Sequence, residues 1–192
     1  MSTNKALDEV LGEFGMFVTR ELAATQIAIA CLRTVAHQAL ETFRETDDQD
    51  ETRILGTGVP GGGWIAPVHG MAGAKALVAE MGEGGGTHCR LTQQWIVTVY
   101  TAWDAEYRAR VAAAHGVPVK GISADFFGDL RWLRNDIVHH QGTATPEGSA
   151  RCRTVLSRIL APGDVIFLSD EELRRMHLLV PWPVLVKKPM SL

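Results

Sequence analysis

The chain has 192 residues, which is the size of a single domain that can bury its own core. Apolar residues make up 46% of it and charged residues 21%, an ordinary balance for a globular protein. The formal net charge of −3 argues against a protein that coats nucleic acid nonspecifically, so any nucleic-acid site must be a local patch.

Cysteine usage and the N-terminus predict the compartment. The three cysteines, Cys31, Cys89 and Cys152, are widely spaced and form no CxxC pair, a pattern that is typical of a reducing cytoplasm. The first residues lead directly into an amphipathic pattern, without the basic and apolar regions of a signal peptide. No apolar stretch approaches the length that spans a bilayer. The sequence therefore predicts a soluble, cytoplasmic protein with no membrane partner.

The first predicted element is a long N-terminal helix. Apolar residues recur every three or four positions from Leu7 to Phe43, which predicts one helix or two collinear helices over residues 5 to about 46. Unbroken, such a helix would run to roughly 60 Å, which is longer than a small domain needs. We therefore expect either a kink or an overhang that packs on a second subunit.

Two glycine-rich segments, 56–63 and 82–86, flank a predicted short helix from about 70 to 81. Neither segment continues into Gly-Lys-Ser/Thr, and neither follows a strand and opens a long helix, as phosphate-binding loops require. Both are interpreted as connectors.

Three further helices are predicted in the second half of the chain. Bulky residues at helical spacing predict a helix from about 91 to 115 that ends at Gly116. Ser123 is the predicted N-cap of the next helix, which runs to residue 141 and is stopped by Gly142. Thr145 and Pro146 begin the third. Its predicted buried face consists of Cys152, Val155, Leu156 and Ile159.

The C-terminal part changes character. Residues 164–168 and 184–186 are predicted as short strands, and Ser169 to Glu172 between them form a capping box that opens a brief helix. The predicted fold class is all-α. A bundle of long antiparallel helices spans 1–162, and a small mixed appendage of short strands and a helix over 163–192 packs on it.

The helix predicted over 123–141 carries polar residues on a face of their own. Its inward face consists of Phe126, Leu130, Leu133 and Ile137. Arg131, Asn135 and His139 are spaced by four and form a second stripe. Arg134 lies about 140° around the helix from His139, so one straight helix does not bring both to a small ligand. A convergent site needs a distorted helix end or a copy of the helix from a second subunit.

The segment from Gly128 to His140, which ends in Leu-Arg-Asn-Asp-Ile-Val-His-His, resembles the signature of the HEPN superfamily. These are helical-bundle proteins whose ribonuclease members carry an Arg, usually a polar residue beside it, and a His a few positions further on. The matching positions are Arg134, Asn135 and His139, and His140 also fits the spacing. The resemblance is strong over this helix, covers the other helices only by type, and excludes the C-terminal appendage.

The resemblance implies a homodimer in which two such motifs face each other and cut RNA without metal or cofactor, as bacterial toxins or antiviral effectors do, with a possible antitoxin or regulatory protein as partner. The chemistry of the residues agrees with that division of roles. Histidine titrates near neutrality and can move a proton, and arginine stays charged and binds phosphate. Asn135 would hydrogen-bond the phosphate or orient the imidazole.

The segment that contains the motif has a local excess of positive charge. Between Arg131 and Arg158 five arginines stand against two acids, and Arg151 and Arg158 are seven residues apart, which places them on one helical face. Such a surface, with Arg131 and His140, would support RNA binding beside the motif. A solvated helix face explains the same pattern equally well.

Other interpretations stay open. The same bundle could be a non-catalytic nucleotide-binding or assembly protein, and Arg134 could be an ion-pair partner of Asp129 or Asp136. The Arg-to-His spacing recurs at Arg110 and His115, but Val111 follows Arg110, so we set that match aside. No metal site is predicted, because no two of the candidate ligands have finger or ribbon spacing. These candidates are His37, His69, His88, Cys89, His139, His140 and His177.

Overall fold

The computed structural model describes residues 4–44, 52–55, 70–154 and 161–188. It is mostly helical. The elements in chain order are α1 (Lys5–Arg44), β1 (Thr52–Leu55), β2 (Gly70–Gly73), α2 (Ala74–Met81), α3 (Gly86–Ala102), a π-helical segment (Trp103–Tyr107), α4 (Arg108–His115), a short 3-10 turn (Val119–Gly121), α5 (Asp125–His139), α6 (Pro146–Arg151), α7 (Asp170–Leu179) and α8 (Trp182–Val186).

The chain forms two compact units. One consists of Met1–Gln26 and Cys89–Leu192, and the other of Ile27–His88. These divisions differ from the boundary expected after residue 162, because the C-terminal residues belong to the same unit as α3 to α6. All the described candidate residues of the motif lie in the first unit.

The second unit contains a two-stranded antiparallel sheet in which Thr52 pairs with Gly73 and Leu55 with Gly70. The helix expected from about residue 70 therefore begins four residues later, at Ala74. Two glycines in Gly70–Gly73 make helix unfavourable there, by about 1 kcal/mol each relative to alanine, and pairing with β1 satisfies the backbone instead. The glycine-rich segment 56–63 lies outside the described residues.

The core of the first unit is an aromatic cluster around Phe14 of α1. Phe14 is fully buried, and its ring centroid lies 4.8 Å from that of Tyr107, 5.5 Å from that of Trp103 and 5.9 Å from that of Phe127. Trp103 and Phe127 stack at 3.8 Å. Rings at these distances add attraction to the burial of a large apolar area. This cluster joins α1, the π-helical segment and α5.

Helix α1 also affects the question of membrane insertion. Its residues Lys5–Gln38 are long and apolar enough to cross a membrane by length and composition, which overturns the expectation that no stretch approaches that length. This is weak evidence for a membrane segment, because core helices of soluble proteins pass the same test.

The prediction of two strands in the C-terminal part is wrong. Over 164–168 the described residues form one isolated bridge, between Thr143 and Val165, and no strand. Residues 184–186 end α8, which buries Leu185 and leaves Val184 exposed. The capping box is confirmed: the Glu172 backbone N–H donates to Ser169 Oγ, and the Ser169 N–H donates to the Glu172 carboxylate.

Candidate functional site

Helix α5 positions the residues of the motif. It begins at Asp125, whose charge favours the positive end of the helix, and ends at His139. Ser123 is not the N-cap, because Ala124 holds that position with an extended backbone and no side-chain cap. Gly142, with a φ of +76°, reverses the chain after the helix, and a Cβ there would meet Gln93 Nε2 at 2.3 Å. Only glycine fits this turn.

The buried face of α5 is largely the one that the sequence predicts. Phe126, Leu130 and Leu133 are buried, and Ile137 is half-buried. On the other side Arg131 and His139 are exposed, whereas Arg134 and Asn135 are half-buried. The polar residues of the motif are therefore accessible to a ligand.

Three of these residues line one cavity of about 480 Å³, which we call the arginine cavity. Helix α5 contributes Arg131, Arg134 and Asn135, and the facing wall comes from α3 and the π-helical segment. The described residues that line it are Tyr100, Thr101, Asp104, Ala105, Arg131, Trp132, Arg134 and Asn135. The volume is in the range of sites that hold small ligands.

The histidines line a different cavity. His139 and His140 border a space of about 610 Å³, the histidine cavity, together with residues of the following turn such as Gln141 and Thr143. Gln141 has a φ of +55°, a left-handed conformation that non-glycine residues adopt at a cost. The structure therefore does not bring Arg134 and His139 to one cavity of a single chain, in agreement with their angular separation on the helix.

Arg134 has no ion-pair or hydrogen-bond partner among the residues that the structure describes. Its two suggested partners are occupied elsewhere. The buried Asp136 accepts hydrogen bonds from the Thr145 backbone N–H at 2.9 Å and from Thr145 Oγ1 at 3.0 Å. The buried Asp129 accepts from the backbone N–H of Arg153 at 2.8 Å. The interpretation of Arg134 as their ion-pair partner is therefore wrong.

Tyr100, Asp104 and Arg108 are site residues that the sequence analysis did not identify. They face α5 from α3, the π-helical segment and α4. Burial raises the pKa of the Tyr100 phenol and the Asp104 carboxylate raises it further, whereas three guanidiniums lower it. These guanidiniums belong to Arg131, Arg108 and Arg134. The spacing of four between the residues was the available signal.

The supporting arginines are only partly as expected. Arg151 lines neither the arginine cavity nor the histidine cavity, pairs with Glu147 at 2.9 Å and lies 4.5 Å from the Trp132 ring centroid. Its predicted helical face shared with Arg158 is wrong, because α6 ends at Arg151. Beyond that end the Asp129 carboxylate accepts hydrogen bonds from the backbone N–H groups of Arg153 and Thr154. Arg158 itself lies outside the described residues, as do the predicted face positions 155, 156 and 159.

The second pair with the Arg-to-His spacing, Arg110 and His115, has a structural role. Arg110 pairs with Glu13 at 2.7 Å and with Glu106 at 2.8 Å. His115 is buried, and its Nε2 lies 2.8 Å from the Leu185 carbonyl oxygen. Both side chains thus have structural partners, unlike Arg134. Within the described ranges, no three His, Cys, Asp or Glu side chains form a group that could hold a metal ion.

Cys152 is a buried thiol beside the two buried aspartates. Burial, followed by the charges of Asp129 and Asp136, raises its pKa from 9.0 to about 12. The thiolate is the reactive form, so we expect a thiol-specific reagent at about pH 8 to modify the exposed Cys31 rapidly and Cys152 only after unfolding. Mass spectrometry of the labelled peptides measures this. Cys31→Ser should remove the fast phase, and rapid labelling of native Cys152 would contradict the assignment.

The raised pKa of Cys152 also makes the free energy of unfolding depend on pH. The folded protein holds the Cys152 proton more tightly than the unfolded chain does, so this contribution to the free energy of unfolding is fully present below about pH 9. It is lost as the pH rises toward 12.

Comparison with known proteins gives no family assignment. No family model matches this chain, and neither a curated protein nor a solved structure matches it.

Proposed function

We propose that this protein is a metal-independent RNA endonuclease that acts as a homodimer. One observation carries the proposal: Arg134, Asn135 and Arg131 line one cavity, and Arg134 has no carboxylate partner among the described residues. A half-buried guanidinium without a counterion is suited to an anionic ligand, and phosphate matches its fork of N–H donors. The resemblance of the α5 segment to the HEPN signature supports RNA as the source of that phosphate.

The proposed reaction uses the RNA's own 2′-hydroxyl. The 2′-oxygen forms a bond to phosphorus, the bond from phosphorus to the 5′-oxygen breaks, and a 2′,3′-cyclic phosphate remains. His139 makes one of the two proton transfers and water makes the other: one takes the proton from the 2′-hydroxyl as it attacks, and the other gives a proton to the 5′-oxygen as it leaves. Arg134 stabilises the charge that builds on the phosphoryl oxygens. Asn135, in the same cavity as Arg134, donates to a phosphoryl oxygen or orients the imidazole.

A second subunit completes the proposed site. Arg134 and His139 line different cavities of one chain, so the Arg134 of one protomer would act with the His139 of its partner. A twofold axis relating two copies of α5 would generate two such pairs.

We also propose a soluble, cytoplasmic protein of the toxin or antiviral-defence type, with an antitoxin or other regulatory protein as a possible partner. The N-terminal part of α1 supports solubility, because Leu7, Phe14 and Val18 are buried in the protein core. The charged residues Asp8 and Arg20 lie exposed on the same helix.

The test is cleavage in the absence of metal. Purified protein with EDTA is expected to cut single-stranded RNA and to leave 2′,3′-cyclic phosphate ends, which mass spectrometry identifies. A DNA strand of the same sequence should survive, because it has no 2′-hydroxyl. Cleavage only with added divalent metal, or equal cleavage of DNA, would contradict the mechanism.

A second candidate is a non-catalytic nucleotide-binding or assembly protein. The separation of Arg134 from His139 in one chain favours it, because an anion can bind in the arginine cavity without the histidine. Nucleotide binding by a protein that leaves every tested RNA intact would support this candidate.

A further inference from the structure

A third cavity lies beside the arginine cavity. It has a volume of about 480 Å³ and shares Tyr100, Asp104 and Arg131 with that cavity, so the two adjoin. Arg108 borders the added part. We call the combined surface the arginine groove, and its ionisable side chains are Tyr100, Asp104, Arg108, Arg131 and Arg134.

The charge of the groove favours a chain of anions over a single one. Three guanidiniums, those of Arg108, Arg131 and Arg134, stand against the one carboxylate of Asp104. They are distributed along two adjoining cavities, which is the arrangement that successive phosphates of one strand require.

Arg108 is held ready at its end of the groove. Its Nε donates to the Ile122 carbonyl oxygen at 3.0 Å, and its Nη1 lies 3.6 Å from Asp104 Oδ1. These contacts fix the guanidinium and reduce the conformational entropy that it would lose on binding. Its side chain keeps 30% of its surface exposed, so a ligand can still reach it.

We propose that the arginine groove binds the phosphates that flank the scissile phosphate in single-stranded RNA. Arg134 takes the scissile phosphate of the proposed nuclease reaction, on which this inference rests, and Arg131 and Arg108 take phosphates further along the strand. The Tyr100 hydroxyl lines both cavities, where it can donate a hydrogen bond to a phosphate. Trp132 is half-buried at the edge of the arginine cavity, and the Arg151 guanidinium carbon lies 4.5 Å from its ring centroid, so a base that stacks on this ring has to share it with Arg151 or displace it.

Asp104 has a specific role in this arrangement. In the free protein its carboxylate orients Arg108, but it repels a phosphate that enters the groove. Its side chain is half exposed, so the repulsion is screened and moderate. Asp104→Asn keeps a hydrogen-bonding side chain of the same shape and removes the charge. The groove therefore predicts that this variant binds RNA more tightly.

The test measures binding without cleavage. The probe is a fluorescein-labelled 2′-O-methyl oligouridylate, which cannot be cut because its 2′-oxygen carries no proton, and anisotropy gives Kd over a series of salt concentrations. Arg108→Ala and Arg131→Ala are each expected to weaken binding roughly tenfold at low salt. Each should also reduce the slope of log K against log salt by about 0.7. Asp104→Asn should tighten binding about two- to fivefold.

Control variants separate the groove from general effects. Arg175→Ala removes the same charge from an exposed pair with Glu171 on α7 and should leave Kd and slope unchanged. Arg108→Lys keeps the charge and should retain the slope, which separates phosphate contact from a folding defect. Duplex RNA of the same length should bind more weakly than the single strand.

The outcomes distinguish the inference from the proposed function. Wild-type Kd and slope in both arginine variants, or no binding of the probe by the wild-type protein, would overturn the groove even if the protein cleaves RNA. Arginine-dependent binding without any cleavage would retain the groove and remove the nuclease. Tighter binding of the duplex would overturn the assignment to single strands.

Discussion

Mixing His139→Ala protein with Arg134→Ala protein is expected to restore RNA cleavage that neither variant shows alone. Each variant alone should be slower by about 100 to 10,000-fold, because one lacks the proton-transfer group and the other lacks the charge on the phosphate. In a mixed dimer, one of the two sites combines the intact Arg134 of one protomer with the intact His139 of its partner. Random exchange makes half of the dimers mixed, so about a quarter of the wild-type activity should return.

This experiment depends directly on the placement of the two residues in separate cavities. Its control is a protein that carries both substitutions in one chain, since mixing it with either single variant creates no intact pair. Light scattering should give the mass of a dimer for every variant. An inactive mixture in which native mass spectrometry detects mixed dimers would contradict the composite site.

Asn135→Ala should reduce the rate of RNA cleavage less than either His139→Ala or Arg134→Ala, because water can replace part of an orienting amide.

Phe14→Ala is expected to reduce the free energy of unfolding by about 3–5 kcal/mol. Its ring is fully buried at the centre of the aromatic cluster, so removing it loses the transfer free energy of the ring and leaves a cavity among rigid neighbours. Because Trp103 and Phe127 stack on each other, they cannot readily move to fill the space. Urea denaturation followed by tryptophan fluorescence measures the change.

Phe17 provides the matched control. It lies one turn along α1, is half-buried, and its ring centroid is 6.5 Å from that of Phe14. Phe17→Ala removes the same atoms from a partly solvated position, so the loss of stability should be clearly smaller. Equal losses in the two variants would show that the cluster around Phe14 does not carry the core.

The helices could be predicted wherever periodicity and end signals agree. In α1 apolar residues recur at helical spacing, and in α5 the residues Phe126, Leu130 and Leu133 define one face that is buried as expected. Thr145 begins α6 by accepting a hydrogen bond from the Gly148 N–H at 2.9 Å, as its position before Pro146 predicts. These are local effects, which a short sequence window contains.

The elements that sequence reasoning misplaced depend on distant partners. Val184, Leu185 and Val186 favour a strand by propensity, yet they form a helical turn after Pro181 that buries Leu185. Residues 164–168 are rich in residues that favour strands, but among the described residues their one strand-like pairing is the bridge between Val165 and Thr143, and the Ile166 carbonyl oxygen accepts from the Gln93 side chain instead. The predicted N-cap at Ser123 was displaced by one residue. Local propensity cannot specify which segment lies opposite, so these positions required the tertiary structure.

Only the part of the candidate site that lies on α5 could be predicted, because local sequence does not specify which distant residues face it. The motif residues Arg131, Arg134 and Asn135 stand on one helix, and their relative directions follow from its geometry. Tyr100, Asp104 and Arg108 come from elements about thirty residues away, and only packing brings them opposite α5. The angular separation of Arg134 and His139 was predicted, and the two cavities reproduce it.

The π-helical segment Trp103–Tyr107 determines which residues of the helical stretch from α3 to α4 lie on the same side. A π turn contains one residue more than an α turn, so the residues before and after it keep nearly the alignment of an α-helix that is one residue shorter. Tyr100 and Arg108 are eight positions apart, which would separate them by about 80° on an uninterrupted α-helix, whereas with the π turn they lie within about 20° of each other. Both therefore line the groove. Deleting one residue of the segment would convert it to an ordinary α turn and keep this alignment, whereas a substitution that made the segment α-helical at its present length would turn Arg108 away from Tyr100.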